Sequence, residues 1–136
     1  MQHFIKTLVF SSLLIVTAAQ AADTPQSLLN TYSQQAKAEN AQFNGFDAQR
    51  GQLFFNNKHA NDWSCSTCHT SNPAQMGKHA RTSKAIEPLS PNANASRFTD
   101  SAKVEKWFKR NCKDVLDREC NALEKGDVLT YLLSVK

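Results

Sequence analysis

Apolar residues in this chain recur three and four positions apart, which is the spacing of one face of an α-helix. A first helix is predicted to begin at Thr24-Pro25, a cap followed by a proline, and to end near Asn40. A second follows the break at Asn44-Gly45. It contains a glycine, which costs about 1 kcal/mol relative to alanine, so we expect close packing against another helix there. The two apolar stripes are Leu28, Leu29, Tyr32 and Ala36, and then Gly51, Phe54 and Phe55 after the cap Asp47.

Two more helices are predicted toward the C terminus. Thr99 or Asp100 can cap the first of them, and Asn121 with Glu124 is a capping-box pattern that begins the second. Between the two helical halves, the segment 70–98 is rich in proline, asparagine, serine and lysine and is predicted to be a loop. Strand-like alternation is scarce, so the pattern predicts an all-α fold. The C-terminal stripes are Val104, Trp107, Phe108 and Asn111, and then Leu123, Val128, Leu129, Leu132 and Val135.

The first 21 residues have the pattern of a secretory signal peptide. Lys6 gives a positive start, the run from Leu8 to Ala19 is mostly apolar, and Ala19-Gln20-Ala21 is a small-x-small cleavage site. The apolar run is too short to span a bilayer. We therefore expect a cleaved signal peptide over 1–21, an N-terminal helical extension over 22–42 and one domain over 43–136. The mature protein is predicted to be periplasmic, without a transmembrane segment.

Charge and composition exclude several classes of function. The chain has 16 lysine and arginine residues against 12 acidic residues, a formal net charge of +4. The basic residues are scattered, which argues against nucleic acid as a partner. With 40% hydrophobic residues the chain can form a core, so a disordered chain is also excluded.

The strongest chemical signal is Cys65-Ser66-Thr67-Cys68-His69. This is the C-x-x-C-H pattern of haem c attachment. Two thiols three positions apart can form thioethers with the two vinyl groups of one haem, and the next histidine is then held beneath the iron as an axial ligand. The sequence thus predicts one covalent haem c, attached through Cys65 and Cys68, with His69 as the proximal iron ligand.

Two other uses of a C-x-x-C pair fit this sequence less well. A cysteine-rich zinc site would need two further cysteines or histidines at usable spacing. Cys112 and Cys120 are not a second C-x-x-C pair, and His59 and His79 do not form a zinc-ligand pair. A thioredoxin-like site would need alternating strands and helices, which the pattern does not contain.

Cys112 and Cys120 remain as a pair, and in an oxidising compartment we expect them to form a disulfide. If one helix ran through both, their Cα atoms would be about 12 Å apart. A disulfide needs roughly 5.5 Å, so the helix must end between them. Cys112 directly follows Asn111, and the disulfide would therefore also restrain Asn111.

The sixth ligand of the iron is less obvious. Met76 is the only methionine after the signal peptide, but it lies seven residues from His69, on a segment tethered to the haem. His59, His79 and a lysine are further candidates. Asn111 ends an otherwise apolar stripe, and such a polar group needs a partner, which can be the backbone, water or the iron.

These residues resemble those of the sphaeroides haem protein type of monohaem cytochrome c, a high-spin variant of the class I cytochrome c fold. The resemblance covers about Phe46 to Lys136 and is strongest in residues 103–112, Lys-Val-Glu-Lys-Trp-Phe-Lys-Arg-Asn-Cys. Further matching segments are the C-x-x-C-H motif, Gly77-Lys78-His79, Thr82-Ser83-Lys84, Ile86-Glu87-Pro88-Leu89, Arg97-Phe98-Thr99-Asp100, Val115-Leu116, Arg118, Cys120 and Glu124-Lys125-Gly126-Asp127. Asp117 and Ser83 stand where the family often has glycine.

The resemblance implies a class I cytochrome c-like fold with an asparagine ligand, which falls on Asn111. In the family this ligand binds ferric haem and leaves on reduction, which opens the iron to oxygen or nitric oxide. A dihaem cytochrome c and a membrane cytochrome b are the implied redox partners. Trp107 and Phe108 would form an apolar wall packed on the haem, or simply belong to the core.

Two functions follow from the sequence. The first is an electron carrier that also binds small gaseous ligands without turnover. The alternative is a haem enzyme acting on nitric oxide, oxygen or peroxide. A peroxidase needs a distal acid or base beside the iron. The stripe from Val104 to Asn111 offers no histidine or arginine for that role, although His79 or Arg81 could fold over the haem.

Overall fold

A computed structural model describes residues 22–136. The predicted signal peptide, residues 1–21, lies outside the described residues. The described chain is mostly helical, which confirms the predicted fold class, and contains one small antiparallel sheet. In chain order its elements are α1 Pro25–Glu39, α2 Ala48–Asn56, α3 Ser66–His69, β1 Gly77–Lys78, β2 Ala85–Ile86, α4 Ser101–Leu116 and α5 Ala122–Ser134.

The four predicted helices begin where their capping residues predict. The side chains of Thr24, Asp47 and Asp100 each accept a hydrogen bond from the backbone N–H three residues later, at 3.0, 2.7 and 2.9 Å. These bonds satisfy donors that the first turn of a helix leaves without partners. Asn121 and Glu124 form the predicted capping box at the start of α5.

The segment 70–98 contains a two-stranded hairpin, where a loop was predicted. Gly77 pairs with Ile86 and Lys78 with Ala85. Strands of two residues are too short to produce an alternating pattern, so the sequence carries no periodic signal for them. The turn between them passes through Ser83, which has a left-handed φ of 58°.

Two glycines allow α5 to approach α2 and the residues just before it closely. A Cβ on Gly51 would lie 2.0 Å from the carbonyl oxygen of Asp127, and one on Gly126 would lie 2.1 Å from the ring of Phe46. The expected close packing at Gly51 is therefore confirmed. The Asp127 carboxylate, buried beside this crossing, accepts hydrogen bonds from the backbone N–H of Asp47 and from the Arg50 guanidinium at 2.7–2.8 Å.

The core lies between α1, α2 and α5. Leu28 and Tyr32 of α1 are buried against Phe55 of α2 and Leu129 and Leu132 of α5. The N-terminal helix thus shares the core with the rest of the chain. No helix within residues 22–136 combines the length and the apolar character that a membrane crossing requires.

Candidate haem-binding site

The C-x-x-C-H motif forms α3, a helix of a single turn. Its start is fixed by the buried Ser64, whose hydroxyl lies 2.8 Å from that of Ser66 and 3.1 Å from that of Thr67. The backbone N–H of Thr67 also donates to the Ser64 hydroxyl. One helical turn places Cys65 and Cys68 on neighbouring positions of the same side, and both thiols are free.

His69 is the last residue of α3 and packs against the core. Its ring centroid lies 6.4 Å from that of Phe55. Burial, together with the positive charge of Arg97, lowers the pKa of His69 to about 4. The imidazole is therefore neutral at physiological pH, and the neutral ring is the form that binds a metal.

The hairpin packs against α3, which sequence reasoning did not find. A Cβ on Gly77 would lie 2.3 Å from the carbonyl oxygen of Cys68, so only glycine fits there without a shift of the backbone. The backbone N–H of Ala80 donates to the sulfur of Cys68 at 3.4 Å. The segment from Gly77 to Ala80 thus contacts both the backbone and the sulfur of the second cysteine of the motif.

The donor set of α3 fits haem c better than zinc or thiol redox chemistry. Within residues 22–136 no group of three or more histidine, cysteine, aspartate or glutamate residues is placed to hold a metal ion. Two adjacent thiols followed by a neutral histidine are the residues that hold a covalent haem.

Asn111 lies on the exposed side of α4, next to the disulfide-forming pair. The sulfurs of Cys112 and Cys120 are bonded, with Cα atoms 5.7 Å apart. As expected for such a pair, α4 ends between them, at Leu116, and Asp117 adopts a left-handed φ of 58°. In the described part of the chain the Asn111 carboxamide has no hydrogen-bond partner, and its backbone neighbour Cys112 is buried.

Trp107 and Phe108 have different surroundings. Phe108 packs against the hydrophobic core and meets the ring of Tyr32 edge-on, with ring centroids 6.2 Å apart. Trp107 is 46% exposed, and the Arg110 guanidinium lies 5.6 Å from its ring. Ordinary core membership therefore holds for Phe108 and is wrong for Trp107. Trp107 lies one turn before Asn111 on the same helix.

The other candidate iron ligands have contacts of their own. His59 Nε2 lies 2.9 Å from the carbonyl oxygen of Phe54, and the rings of the two residues are tilted at 46° with centroids 4.7 Å apart. His79 Nδ1 accepts a hydrogen bond from the backbone N–H of Thr82 in the hairpin turn. Met76 is 55% exposed. Each lies on the segments flanking α3, whereas Asn111 comes from a separate helix.

Two contacts relate α4 to the segment that carries the motif. The side chain of Asn61, just before α3, donates to the carbonyl oxygen of Asp114 at 2.9 Å. Asp114 is one turn beyond Asn111. Cys65 and Phe108 pack against the same core cluster. The turn of α4 that carries Asn111 is thus tied to the loop that leads into Cys65.

A family model described as "Domain of unknown function (DUF1924)" matches residues 41–132. Cytochrome c'' of Methylophilus methylotrophus is 36% identical over 136 residues, which is 96% of this chain and 94% of that protein. The cytochrome c-type protein SHP of Cereibacter sphaeroides is 38% identical over 129 residues, or 92% of this chain and 95% of that protein. This chain belongs to the cytochrome c''/SHP family. Its cofactor is accordingly one covalent haem c.

Solved structures of this family share the fold. The crystal structure of oxidised cytochrome c'' superposes with a TM-score of 0.75 at 36% identity, covering 82% of this chain and 94% of that one. Oxidised SHP, described as an oxygen-binding cytochrome c, gives 0.73 at 38% identity, covering 82% and 96%. A solution structure of cytochrome c'', described in terms of haem-ligand detachment, gives 0.74 at 37% identity and covers 81% and 92%.

Proposed function

We propose that this chain is an exported, periplasmic monohaem cytochrome c that transfers electrons, and that its sixth iron ligand leaves on reduction so that nitric oxide or oxygen can bind. The observation that carries the proposal is α3, which presents two free thiols and a neutral histidine in a single turn. Family membership and the position of Asn111 beside the Cys112–Cys120 disulfide add to it.

Each residue of the motif has a distinct role in this proposal. Cys65 and Cys68 hold the haem covalently, and His69 supplies the proximal nitrogen. Bound haem provides one-electron redox chemistry and an iron that accepts small diatomic ligands. The core around Phe55 orients the His69 ring and keeps water from it, so the imidazole stays neutral and ready to coordinate.

Asn111 is the proposed distal ligand of the ferric state. A carboxamide oxygen is a hard and weak donor, which suits ferric iron better than ferrous iron. Asn111 would therefore bind the iron of the reduced protein more weakly than that of the oxidised protein. An unpartnered carboxamide on a helix edge costs little to release, because water can solvate it.

A haem enzyme is the alternative, and contacts of the hairpin turn disfavour it. His79 and Arg81 are the sequence candidates for a distal acid or base. His79 accepts from Thr82 within its own turn, and the Arg81 guanidinium lies 4.9 Å from the ring of Trp63. Both side chains thus already have partners within the described chain. A steady-state peroxide assay on the holoprotein distinguishes the two functions.

The resemblance also supplies the proposed partners. A dihaem cytochrome c and a membrane cytochrome b would exchange electrons with this protein in the periplasm. Residues 1–21 would direct export and be removed, residues 22–42 would form the N-terminal helical extension, and residues 43–136 would form the cytochrome c domain.

Optical spectra of ferric and ferrous holoprotein test the role of Asn111. Asn111→Ala should retain covalent haem but change the ferric spectrum. Asn111→His should give a low-spin haem that binds nitric oxide more slowly, because imidazole also holds ferrous iron. Asn30→Ala, an exposed helical asparagine on α1, is the matched control. If Asn111→Ala retains the wild-type ferric spectrum and gas-binding rates, Asn111 is not the ligand, and Met76→Ala and His79→Ala become the next variants to measure.

A further inference from the structure

Glu105, in the N-terminal half of α4, joins three helices through its two carboxylate oxygens. The hydroxyl of Tyr32 on α1 donates to Oε1 at 2.5 Å. The ammonium of Lys125 on α5 donates to Oε2 at 2.6 Å. We call Tyr32, Glu105 and Lys125 the interhelical triad.

The triad lies partly inside the protein, where charges are screened less than at the surface. Tyr32 is 1% exposed and the Lys125 side chain 15%. The Lys125 ammonium is also 5.6 Å from the centroid of the Tyr32 ring. Burial, and next the hydrogen bond to Glu105, raise the pKa of Tyr32, so its phenol stays a donor.

Side-chain contacts connect the triad to Asn111. The Tyr32 ring meets Phe108 edge-on, with centroids 6.2 Å apart. Phe108 lies three residues after Glu105 and three residues before Asn111, so each of these side chains is one turn from the next along α4, although Glu105 and Asn111 themselves point about 120° apart around the helix axis. Tyr32 therefore contacts two of these turns at once, which restrains both the rotation and the axial position of the helix.

The other buried or backbone polar contacts between α4 and the rest of the protein lie near its ends. Asp23 accepts from the backbone N–H of Ser101 at 2.7 Å, at the first residue of the helix. Asn61 reaches Asp114, and Cys112 is joined to Cys120, after Asn111. Before Asn111, the body of α4 therefore has two polar contacts in the described chain, of which the Lys109–Glu119 pair is exposed and the triad is partly buried.

We propose that the interhelical triad holds α4 in the orientation that lets Asn111 reach the haem iron, which makes Tyr32, Glu105 and Lys125 positioning residues for the sixth ligand. The inference rests on the proposed function, because it takes Asn111 to be that ligand. A metal ligand must be held within a fraction of an ångström of its productive position. A helix that loses one of its lateral anchors holds Asn111 less firmly.

Binding of imidazole to the ferric holoprotein measures this effect. Imidazole must displace Asn111, so its apparent affinity rises as the Asn111-bound population falls. Tyr32→Phe removes the hydroxyl but keeps the ring against Phe108, and Lys125→Met keeps the apolar stem. Each should raise the apparent affinity by about threefold to tenfold, the size expected for one lost hydrogen bond.

Lys113→Met is the matched control, because Lys113 pairs with Asp117 at the end of α4 and not with another helix. It should leave the affinity unchanged.

A double-mutant cycle separates positioning from general stability. In the Asn111→Ala background, Tyr32→Phe and Lys125→Met should have no further effect on imidazole affinity, because no ligand is left to position. An equal effect in both backgrounds would overturn the inference. Lys125→Arg should restore the wild-type affinity, since it keeps the charge pair.

A readout independent of the iron is amide hydrogen exchange in residues 103–111, which should be faster in Tyr32→Phe and Lys125→Met than in Lys113→Met. Unchanged exchange rates would contradict an anchoring role. The proposed function can fail separately: if Asn111→Ala alone does not raise imidazole affinity, Asn111 is not the ligand. If Asn111→Ala raises it but the two triad variants do not, the proposed function stands and the triad inference is wrong.

Discussion

At the scale of single residues, much of the local structure depends on positions whose backbone conformation few residue types adopt. Asp117 and Ser83 stand where the resemblance leads us to expect glycine, and both adopt a left-handed φ of 58°. Aspartate tolerates this conformation better than most residues, and its carboxylate pairs with Lys113 at 2.8 Å, in an exposed position. The two departures from the family pattern thus keep the turn geometry that glycine would give.

The glycines at the α2–α5 crossing give a residue-scale prediction. On an isolated helix, glycine to alanine would stabilise by about 1 kcal/mol. Gly51→Ala should instead destabilise by about 2–3 kcal/mol, because the added Cβ meets the backbone of Asp127 and the helices must separate. Gly126→Ala should cost less, since the Phe46 ring it meets can turn away. Urea unfolding of the holoprotein measures both, and an equal or smaller loss for Gly51→Ala would contradict the backbone contact.

At the scale of elements, the caps and stripes were enough to predict four helices and their order. The hairpin β1–β2 was not predictable, because two-residue strands have no period and their pairing depends on α3, on which they pack. Of the candidate site, the thiols and His69 were found from their spacing alone. The contacts of Gly77 and Ala80 with Cys68, and the interhelical triad, join residues from distant parts of the chain and left no local signal. The different exposure of Trp107 and Phe108 depends equally on which neighbours the fold brings to α4.

The start of α5 gives an element-scale prediction about pH. Burial raises the pKa of Glu124, but hydrogen bonds from Arg118 and the Asn121 backbone outweigh it, and the net pKa lies below its ordinary value of 4.5. A depressed folded-state pKa stabilises above the unfolded value and stops doing so as the pH falls through the folded one. Glu124→Gln should therefore lower the free energy of unfolding by about 1 kcal/mol at pH 7. The difference from wild type should shrink below about pH 4.5.

Urea unfolding at several pH values measures this difference. Glu119→Gln is the control, because Glu119 pairs with Lys109 where both side chains are more than 60% exposed. Exposed pairs contribute little, so this variant should stay within about 0.5 kcal/mol of wild type at every pH. A Glu124→Gln deficit that persists undiminished in acid would show that the carboxylate charge is not its cause.

At the scale of the whole molecule, the architecture separates a rigid part from a part that can respond to the iron. The helices α1, α2 and α5 share the core, α2 meets the backbone of α5 at Gly51, and the ring of Phe46 packs on α5 at Gly126. The motif helix α3 is attached to this body through His69 and Phe55. By contrast, α4 is held by Val104 and Phe108, by the interhelical triad and by contacts near its two ends. Such an arrangement keeps the proximal side fixed while allowing the proposed distal ligand to move.

The intact mass of the protein isolated from the periplasm tests its predicted maturation as a whole. The chain should begin at Ala22, because Ala19-Gln20-Ala21 is the predicted cleavage site. Its mass under denaturing conditions should include one haem, because the thioethers at Cys65 and Cys68 survive unfolding. Treatment with a reductant after unfolding should add the mass of two hydrogens, from opening Cys112–Cys120.

Two double variants separate the haem from the disulfide. Cys65→Ala, Cys68→Ala should lose the mass of the haem but still gain two hydrogens on reduction. Cys112→Ser, Cys120→Ser should keep the mass of the haem and gain no hydrogens on reduction. A denatured wild-type chain without haem would refute covalent attachment, and a chain that retains residues 1–21 would refute cleavage of the signal peptide.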